Sequence, residues 1–375
     1  MHGMDSALAQ ITERVRAAAA DQTPLRIRGT GSKDFHGLAL HGEVLDTRVL
    51  QGIVDYEPSE LVVTVRAGTP LTELEAALAV QGQCLPFEPP HFGAQAQAGT
   101  VGGMVAAGLS GPARASVGAV RDYLLGVVLL NGQAELLTFG GQVMKNVAGY
   151  DVPRLMAGSW GTLGLLTEVS LKVLPVAPAE ATLLFACGQA EALRRLHAWG
   201  GQPLPLNASR WEAAGGDGGT LQVRLRGAVA AVEAACRAMG GERLDTAVAA
   251  AAWDTCRDQT LPWFAARPAD QALWRLSLPA TAPVMELPGG ARPLIEWHGA
   301  LRWVQAPESA GDALRAAARA ASGSAALFRA PGGREPGGTG HAALPSPALE
   351  QIHARLKRSF DPAGIFNPGR MAPGW

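Results

Sequence analysis

Three glycine-rich segments in the first half of the chain hold most of the residues that could do chemistry. They are Arg28-Gly-Thr-Gly-Ser32, Gly99-Thr-Val-Gly-Gly through Gly111, and Gly140 through Asp151 followed by Gly158-Ser-Trp-Gly-Thr-Leu-Gly164. In the first, small residues after a short apolar strand let consecutive backbone N–H groups converge on an anion, and Arg28, Thr30 and Ser32 add donors. Asp34 stands where a dinucleotide-binding turn needs its third glycine, and no G-x-x-x-x-G-K-S/T loop occurs. An ordinary turn accounts for the same residues. In the second, Gly99, Thr100, Val101, Gly102 and Gly103 read as a helix start whose free N–H groups face a phosphate, or equally as close packing of helix on sheet. In the third, amides exposed by tight turns suit the carbonyls and ring nitrogens of a flat heterocycle. Lys145 or Arg154 could offset charge there, although a solvated position explains either.

The second half offers one acid–base pattern, Trp297-His-Gly-Ala-Leu-Arg-Trp303. If that segment is extended, the even spacing of His298 and Arg302 puts a base and a cation on one sheet face. A satisfied structural histidine is the simpler account. His36, His41, His91, His197, His341 and His353 have no partner pattern, and Trp253, Trp263, Trp274, Trp297 and Trp303 read as core or interface. Cys84, Cys187, Cys236 and Cys256 lie far apart with no C-x-x-C pair, so each reads as a buried structural thiol and no metal site is expected. Any redox chemistry therefore requires an organic cofactor.

These segments need elements to hold them. With 375 residues, 47% of them hydrophobic, the chain is long enough for two domains. A net charge of −1 argues against a nucleic-acid footprint, no apolar run is long enough to span a membrane, and Met1 to Ala9 lacks a secretory pattern. A helix capped by Asp5 or Ser6 carries Leu8, Ile11 and Val15 on one face. A strand at Leu25–Arg28 leads into the first glycine segment. Another at Leu61–Val65 precedes a helix with Thr69 as its N-cap and Leu71, Leu74 and Leu78 as its stripe. Asn131-Gly132 marks a tight hairpin between Leu124–Leu130 and Ala134–Phe139, and Gly164–Leu174 alternates as a half-buried strand. A boundary near Pro175–Pro178 precedes strands at Thr182–Phe185, Leu221–Leu225, Leu273–Leu278 and Leu301–Val304. With the helices Ala228–Met239 and Asp312–Ala321 they indicate an antiparallel sheet backed by helices. Ala330–Thr339 reads as a mobile loop, and a last helix starts at Ser346-Pro347 and carries Leu349, Ile352, Leu356 and Phe360.

In their order and spacing, R-G-x-G-S at 28–32, G-T-V-G-G at 99–103, R-D-Y at 121–123, K-N-V-A-G-Y-D at 145–151 and G-S-W-G-T-L-G-L-L-T-E-V at 158–169 resemble the flavin-binding domain of the vanillyl-alcohol oxidase superfamily, the p-cresol methylhydroxylase type. The resemblance covers roughly residues 20–177 and the tail Asp361–Arg370. Within the superfamily the chain is most similar to the FAD-binding subunits of bacterial glycolate oxidases. The resemblance implies an α+β fold, with a two-subdomain FAD-binding domain at 1–177, a cap domain with an antiparallel sheet at 178–345, and a helix and tail at 346–375 returning to the flavin. FAD would place its pyrophosphate on the amides of Gly29 to Ser32, Thr100, Gly102, Gly103, Ala106 and Ser110 would line the phosphate–ribityl path, and Gly161, Thr162, Gly164 and Leu166 would hold the ring edge. Asn367 would return from the tail.

Relatives that tether FAD covalently use a histidine where this chain has Ser32, with His36 four residues on, so the cofactor is expected to be non-covalent. Flavoproteins that oxidise 2-hydroxy acids often carry an H-x-G-x-G-N-x-H metal motif that is missing here. The implied role is therefore a subunit that binds FAD and supports electron transfer. A homologous catalytic flavoprotein would oxidise a small 2-hydroxy acid such as glycolate, and an iron–sulfur partner would pass electrons onward. A self-sufficient dehydrogenase using His298 and Arg302 and a non-redox phosphate-ligand module are the alternatives. Cytoplasmic residence, peripheral at the membrane only through partners, is expected.

Overall fold

A computed structural model of the chain describes residues 2–37, 40–93, 99–142, 149–333 and 347–371. Its contacts divide it into one unit of Met1–Leu109, Ala119–Pro175 and Ala343–Trp375 and a second of Ser110–Gly118 and Val176–Ala342. The excursion Ser110–Gly118 has no counterpart in a reading that keeps residues 1–177 together. Its helix packs on a strand of the second unit, and Gly111 O accepts from Trp297 Nε1 at 3.0 Å.

In the first unit, α1 (His2–Asp21) begins before the Asp5–Ser6 cap read from the sequence. Ile11, Val15 and Ala18 face a core shared with Leu25, Leu45 and Phe366. β1 (Leu25–Arg28) pairs in parallel with β2 (Glu43–Asp46). β3 (Ile53–Glu57) and β4 (Val62–Arg66) lead into α2 (Leu71–Val80), whose Leu71, Leu74 and Leu78 are buried as the stripe predicts. Thr69 does not cap that helix, because its Oγ1 accepts from Gly52 N at 2.9 Å instead. After β5 (Gln83–Cys84) comes α3 (Val101–Ala107). In the second unit's excursion lies α4 (Arg114–Val117), and α5 (Val120–Tyr123) follows back in the first.

β6 (Leu124–Leu130) and β7 (Leu136–Gly140) form the predicted hairpin, with a longer loop than expected. Asn131 Oδ1 accepts from the amides of Gln133 and Glu135, both at 2.9 Å, and Ala134 takes a left-handed φ of 60°, so the second strand starts only at Leu136. After α6 (Val152–Met156), β8 (Leu165–Lys172) occupies the middle of a five-stranded antiparallel sheet ordered β3-β4-β8-β6-β7. It is more deeply buried than its alternation implies. Ser170, on its polar face, is itself buried and shares a 2.8 Å hydrogen bond with Thr64, which Gln142 also contacts. Short β9 (Leu174–Pro175) pairs with β5.

The second unit is built on an eight-stranded sheet in which every pairing is antiparallel, ordered β13-β10-β12-β11-β15-β16-β14-β17. Four of its strands were predicted: β10 (Ala179–Ala186), β12 (Gly219–Gly227), β14 (Ala272–Ser277) and β16 (Leu301–Ala306). β11 (Leu206–Ala213), β13 (Glu242–Arg243), β15 (Leu294–Glu296) and β17 (Ser324–Arg329) were missed. Of these, β11 carries Asn207, Ser209 and Arg210 buried in the interior, which broke the apolar pattern. The helices α7 (Gln189–Gly200), α8 (Val229–Met239) and α11 (Gly311–Ala320) pack on the sheet, while α9 (Thr246–Arg257), which precedes short α10 (Pro262–Ala265), places Trp253 Nε1 2.9 Å from Thr182 Oγ1.

The tail returns to the first unit through α12 (Pro347–Phe360). Only half of its predicted stripe is covered: Leu356 and Phe360 pack on the core, but Leu349 and Ile352 are exposed. Its anchor is ionic. Lys357 Nζ donates to Asp361 Oδ2 at 2.6 Å, Thr162 O at 2.7 Å and Phe366 O at 2.9 Å. Asp361 in turn accepts from the amides of Ile365 and Phe366. The two side chains are 6% and 0% exposed, so neither charge has water to fall back on. Lys357→Met should cost about 3–5 kcal/mol in denaturant unfolding, because it strands the Asp361 carboxylate. A loss below about 1 kcal/mol would mean that the pair is not the anchor.

Candidate functional site

One cleft in the first unit gathers residues from four distant stretches of sequence. Arg28, Gly29, Thr30, Gly31, Ser32, Thr100, Gly102, Gly103, Ala106, Gly161, Gly164, Leu166 and Asn367 all line it. Gly99, Val101, Ser110 and Thr162 do not. Val101 is fully buried in the core, Ser110 belongs to the second unit, and Thr162 Oγ1 is engaged by Ser159 O at 2.7 Å.

The loop after β1 leaves its backbone open. Among the described residues, none of the N–H groups from Gly29 to Lys33 has a hydrogen-bond acceptor. Unpaired amides in a row are costly unless water or a ligand supplies acceptors. Gly31, at φ 77°, holds a backbone conformation that strains any other residue, and a Cβ there would displace the Arg28 guanidinium. That guanidinium bonds Asp34 Oδ2 at 2.7 Å, so Arg28 shapes the loop through an ion pair and is not a free anion donor.

At the N-terminus of α3 the hydrogen bonds favour close packing over amides left for a phosphate. Val101 N bonds Thr69 O, Gly102 N bonds Ala67 O, Gly103 N bonds Thr100 Oγ1, and Met104 N bonds Thr100 O. With these four amides engaged, none of them is left to meet a phosphate. Gly102 serves close packing, because a Cβ on it would come within 2.6 Å of Ala67 Cβ. Gly103 instead leaves room in the cleft, its nearest neighbour being Thr100 Oγ1 at 3.1 Å.

The turn from Gly158 to Gly164 is held in a strained shape from three sides. Trp160 has a left-handed φ of 53°, its N–H bonds Ala106 O, and its carbonyl accepts from Asn367 Nδ2 at 2.6 Å. Its ring stacks on His36 at 4.4 Å and lies under the Arg370 guanidinium at 5.3 Å. Asn367 Oδ1 also accepts from Ile27 N at 2.8 Å, and its own N–H bonds Leu25 O. Its amide therefore ties the tail to β1 and to the turn, and a Cβ on Gly161 would lie only 2.7 Å from Asn367 Nδ2.

The cleft also holds three cations absent from the predicted site residues: Arg26, Lys33 and Arg370. Lys33 and Arg370 are 8% and 6% exposed, and burial pulls Lys33 down to about 8 and Arg370 to about 10. Arg26 Nε, Thr30 Oγ1 and Arg370 Nη1 are buried without a hydrogen-bond partner. Lys33 directly follows the quoted R-G-x-G-S motif and Arg370 closes the quoted tail, so adjacency was the available signal.

The second unit separates His298 from Arg302 in role. Trp297–Gly299 is a tight turn joining paired strands β15 and β16, with Trp297 and His298 at left-handed φ of 54° and 56°, so the even-spacing argument fails. His298 Nδ1 and backbone N both contact Ser209 Oγ, and Nε2 lies 3.0 Å from Ser116 Oγ; burial lowers it to about 4. Arg302 is fully buried and donates to the carbonyls of Ala282 and Pro283 at 2.6 and 2.7 Å. Arg154 reaches the Asp122 carboxylate and does not line the cleft, while Lys145 and residues 334–339 of the loop read at Ala330–Thr339 lie outside the described residues. Only Cys256 is fully buried; Cys84, Cys187 and Cys236 are half-buried. Among the described residues no group of side chains could hold a metal ion.

The FAD binding domain family matches residues 6–140. Glycolate oxidase subunit GlcE of Escherichia coli strain K12 is 45% identical over 96% of this chain and 96% of its own length. Glycolate oxidase subunit GlcD of Bacillus subtilis strain 168 is 28% identical over 47% of this chain and 37% of its own length, and a D-lactate dehydrogenase of Anaerostipes hadrus is 32% identical over 38% and 29%. A solved alkyldihydroxyacetonephosphate synthase shares the fold at a TM-score of 0.66 and 15% identity, over 96% of this chain and 74% of that one.

Asn367→Ala should remove the ties to Ile27 and Trp160 together, lowering stability by about 2–3 kcal/mol and loosening the 158–164 turn. Hydrogen exchange would show faster exchange at Trp160 and Ile27 with α2 unchanged. The His298 ring should titrate near 4 by NMR, and an inflection near 6.5 would refute its buried, hydroxyl-bound state.

Proposed function

The chain belongs to the family of the glycolate oxidase subunit GlcE, and we propose that it works as the FAD-binding subunit of a multi-subunit glycolate oxidase, with the first unit's cleft as the cofactor site. The observation that carries this reading is the run of unpaired N–H groups from Gly29 to Lys33 beside the partnerless Thr30 hydroxyl and Arg370 Nη1. A diphosphate supplies the acceptors these groups lack. Gly103 and Gly161 present backbone without side chains to the same cleft, which suits the close approach of a flat ring. Bound FAD supplies a hydride and electron acceptor that no amino-acid side chain provides. The chain's own part is to hold the cofactor and to keep the Trp160 turn in shape.

The cofactor is held without a covalent bond. Ser32 occupies the place from which related proteins tether it, and the nearby His36 ring is stacked on Trp160. Hydroxy-acid oxidation itself falls to a homologous flavoprotein, and an iron–sulfur partner carries electrons onward. The likeness to a GlcD subunit and to a D-lactate dehydrogenase supports that division of labour. A self-sufficient dehydrogenase built on His298 and Arg302 is disfavoured, because Arg302 is sealed against two carbonyls and His298 between two hydroxyls. A phosphate module without flavin is disfavoured by the FAD binding domain match. No helix among the described residues is long and apolar enough to cross a membrane, and we place the chain in the cytoplasm, attached at the membrane through its partners.

The purified chain should show a flavin absorbance band, and acid precipitation should leave the protein colourless with FAD in the supernatant. Glycolate-dependent dye reduction should be absent from the isolated chain and restored by its partner subunits. Full turnover by the chain alone would overturn the subunit assignment.

A further inference from the structure

We infer that Lys33, flanked by Arg26 and Arg370, is the counter-charge for the diphosphate of the FAD, an inference that rests on the flavin reading above. Lys33 is 8% exposed, and within the described residues the only hydrogen bond of its ammonium is to Ser32 Oγ, at a long 3.5 Å. Its other neighbour is the face of Phe92, 5.7 Å from Nζ, and no carboxylate lies within ion-pair distance. Arg370 is bound into the same seat, since its Nη2 donates to Lys33 O at 2.9 Å while Nη1 is buried with no acceptor. Arg26 Nε, on β1, is likewise orphaned. Of the five charged residues lining the cleft, Asp34 is the single acid, and Arg28 already pairs with it. Among the described residues, Arg26, Lys33 and Arg370 form no ion pair. Buried charge of one sign is stable only when something of the opposite sign meets it. A diphosphate carries two negative charges and several acceptor oxygens, and five open amides precede and include Lys33 itself. A hydroxy-acid substrate brings one charge and would leave most of these donors unmet.

This assignment has a proton consequence. The charged or titratable groups facing Lys33 are Asp34 and His36 on its own loop, Arg26 on β1 and Arg370 on the tail. Asp34 is paired with Arg28, His36 is stacked on Trp160, and burial alone pulls Lys33 down to about 8. The empty seat therefore releases the Lys33 proton as pH rises through about 8, whereas an adjacent diphosphate favours the charged form and moves that release to higher pH. Between the two values, FAD binding takes up a proton and its affinity falls as pH rises.

The test uses the full chain stripped of flavin, titrated with FAD, ADP and riboflavin by calorimetry between about pH 7 and 9, each in two buffers of different ionisation enthalpy. FAD and ADP should bind with proton uptake above pH 8, and riboflavin without it. Lys33→Met should weaken FAD and ADP by a similar factor, about tenfold or more, abolish the uptake, and leave riboflavin unchanged. Lys33→Arg should retain the affinity and lose the uptake, which separates a charge effect from misfolding. If Lys33→Met instead weakens riboflavin as much as FAD, or binds ADP like the unaltered chain, the diphosphate assignment is wrong. FAD binding that is tight and independent of pH overturns this inference alone; no FAD uptake by the unaltered chain overturns the flavin reading and this inference with it.

Discussion

Everything in the cleft depends on the chain's tail being fastened beside β1, and one buried ion pair does the fastening. Lys357 draws together α12, the carbonyl of Thr162 and the carbonyl of Phe366, while Asp361 holds the two amides that follow it. The pair also fixes the β6–β7 loop, since Gly132 N bonds Phe360 O and a Cβ on Gly132 would sit 2.4 Å from Asp361 Oδ1. The glycine in Asn131-Gly132 thus serves the tail's approach as well as the turn. The same tail, also bonded to Leu25 by its backbone, carries Asn367 and Arg370 to β1 and the loop after it.

The cleft divides its work between backbone and side chain. Its first loop is open because Arg28 and Asp34 brace it from within, leaving the amides unengaged. The α3 end is closed, its amides satisfied by β4-side carbonyls and by Thr100. The open amides are therefore concentrated at one loop, with Lys33 on it and Arg26 and Arg370 lining the same cleft from β1 and the tail. The strained Trp160 turn is set by protein contacts on three sides, so its shape does not wait for a ligand.

Much of this was legible in the sequence, and the failures have physical causes. Glycine spacing located the loop, the α3 segment and the turn, because positive φ and missing Cβ atoms leave a direct mark on residue choice. The same glycines could not say whether they face a ligand or a neighbour: Gly102 packs on Ala67, while Gly103 faces the cleft. Thr69 looked like a helix cap but bonds Gly52, a partner 17 positions away that no local pattern reveals. β11 was missed since its buried Asn207, Ser209 and Arg210 are satisfied by tertiary contacts, including Arg224 Nε on Asn207 at 2.6 Å. Lys33 and Arg370 were invisible for the opposite reason. A buried lysine looks like a surface lysine until the fold shows that nothing neutralises it.

The order in which these pieces are synthesised has its own consequence. β1 and its loop leave the ribosome early, but Lys357, Asp361, Asn367 and Arg370 emerge more than 300 residues later. Until then the loop after β1 lacks the Arg370 bond to Lys33 O, and β1 lacks the Asn367 bond to Ile27 N. A product that stops short of Lys357 lacks both halves of the buried ion pair and the Asn367 tie to the Trp160 carbonyl.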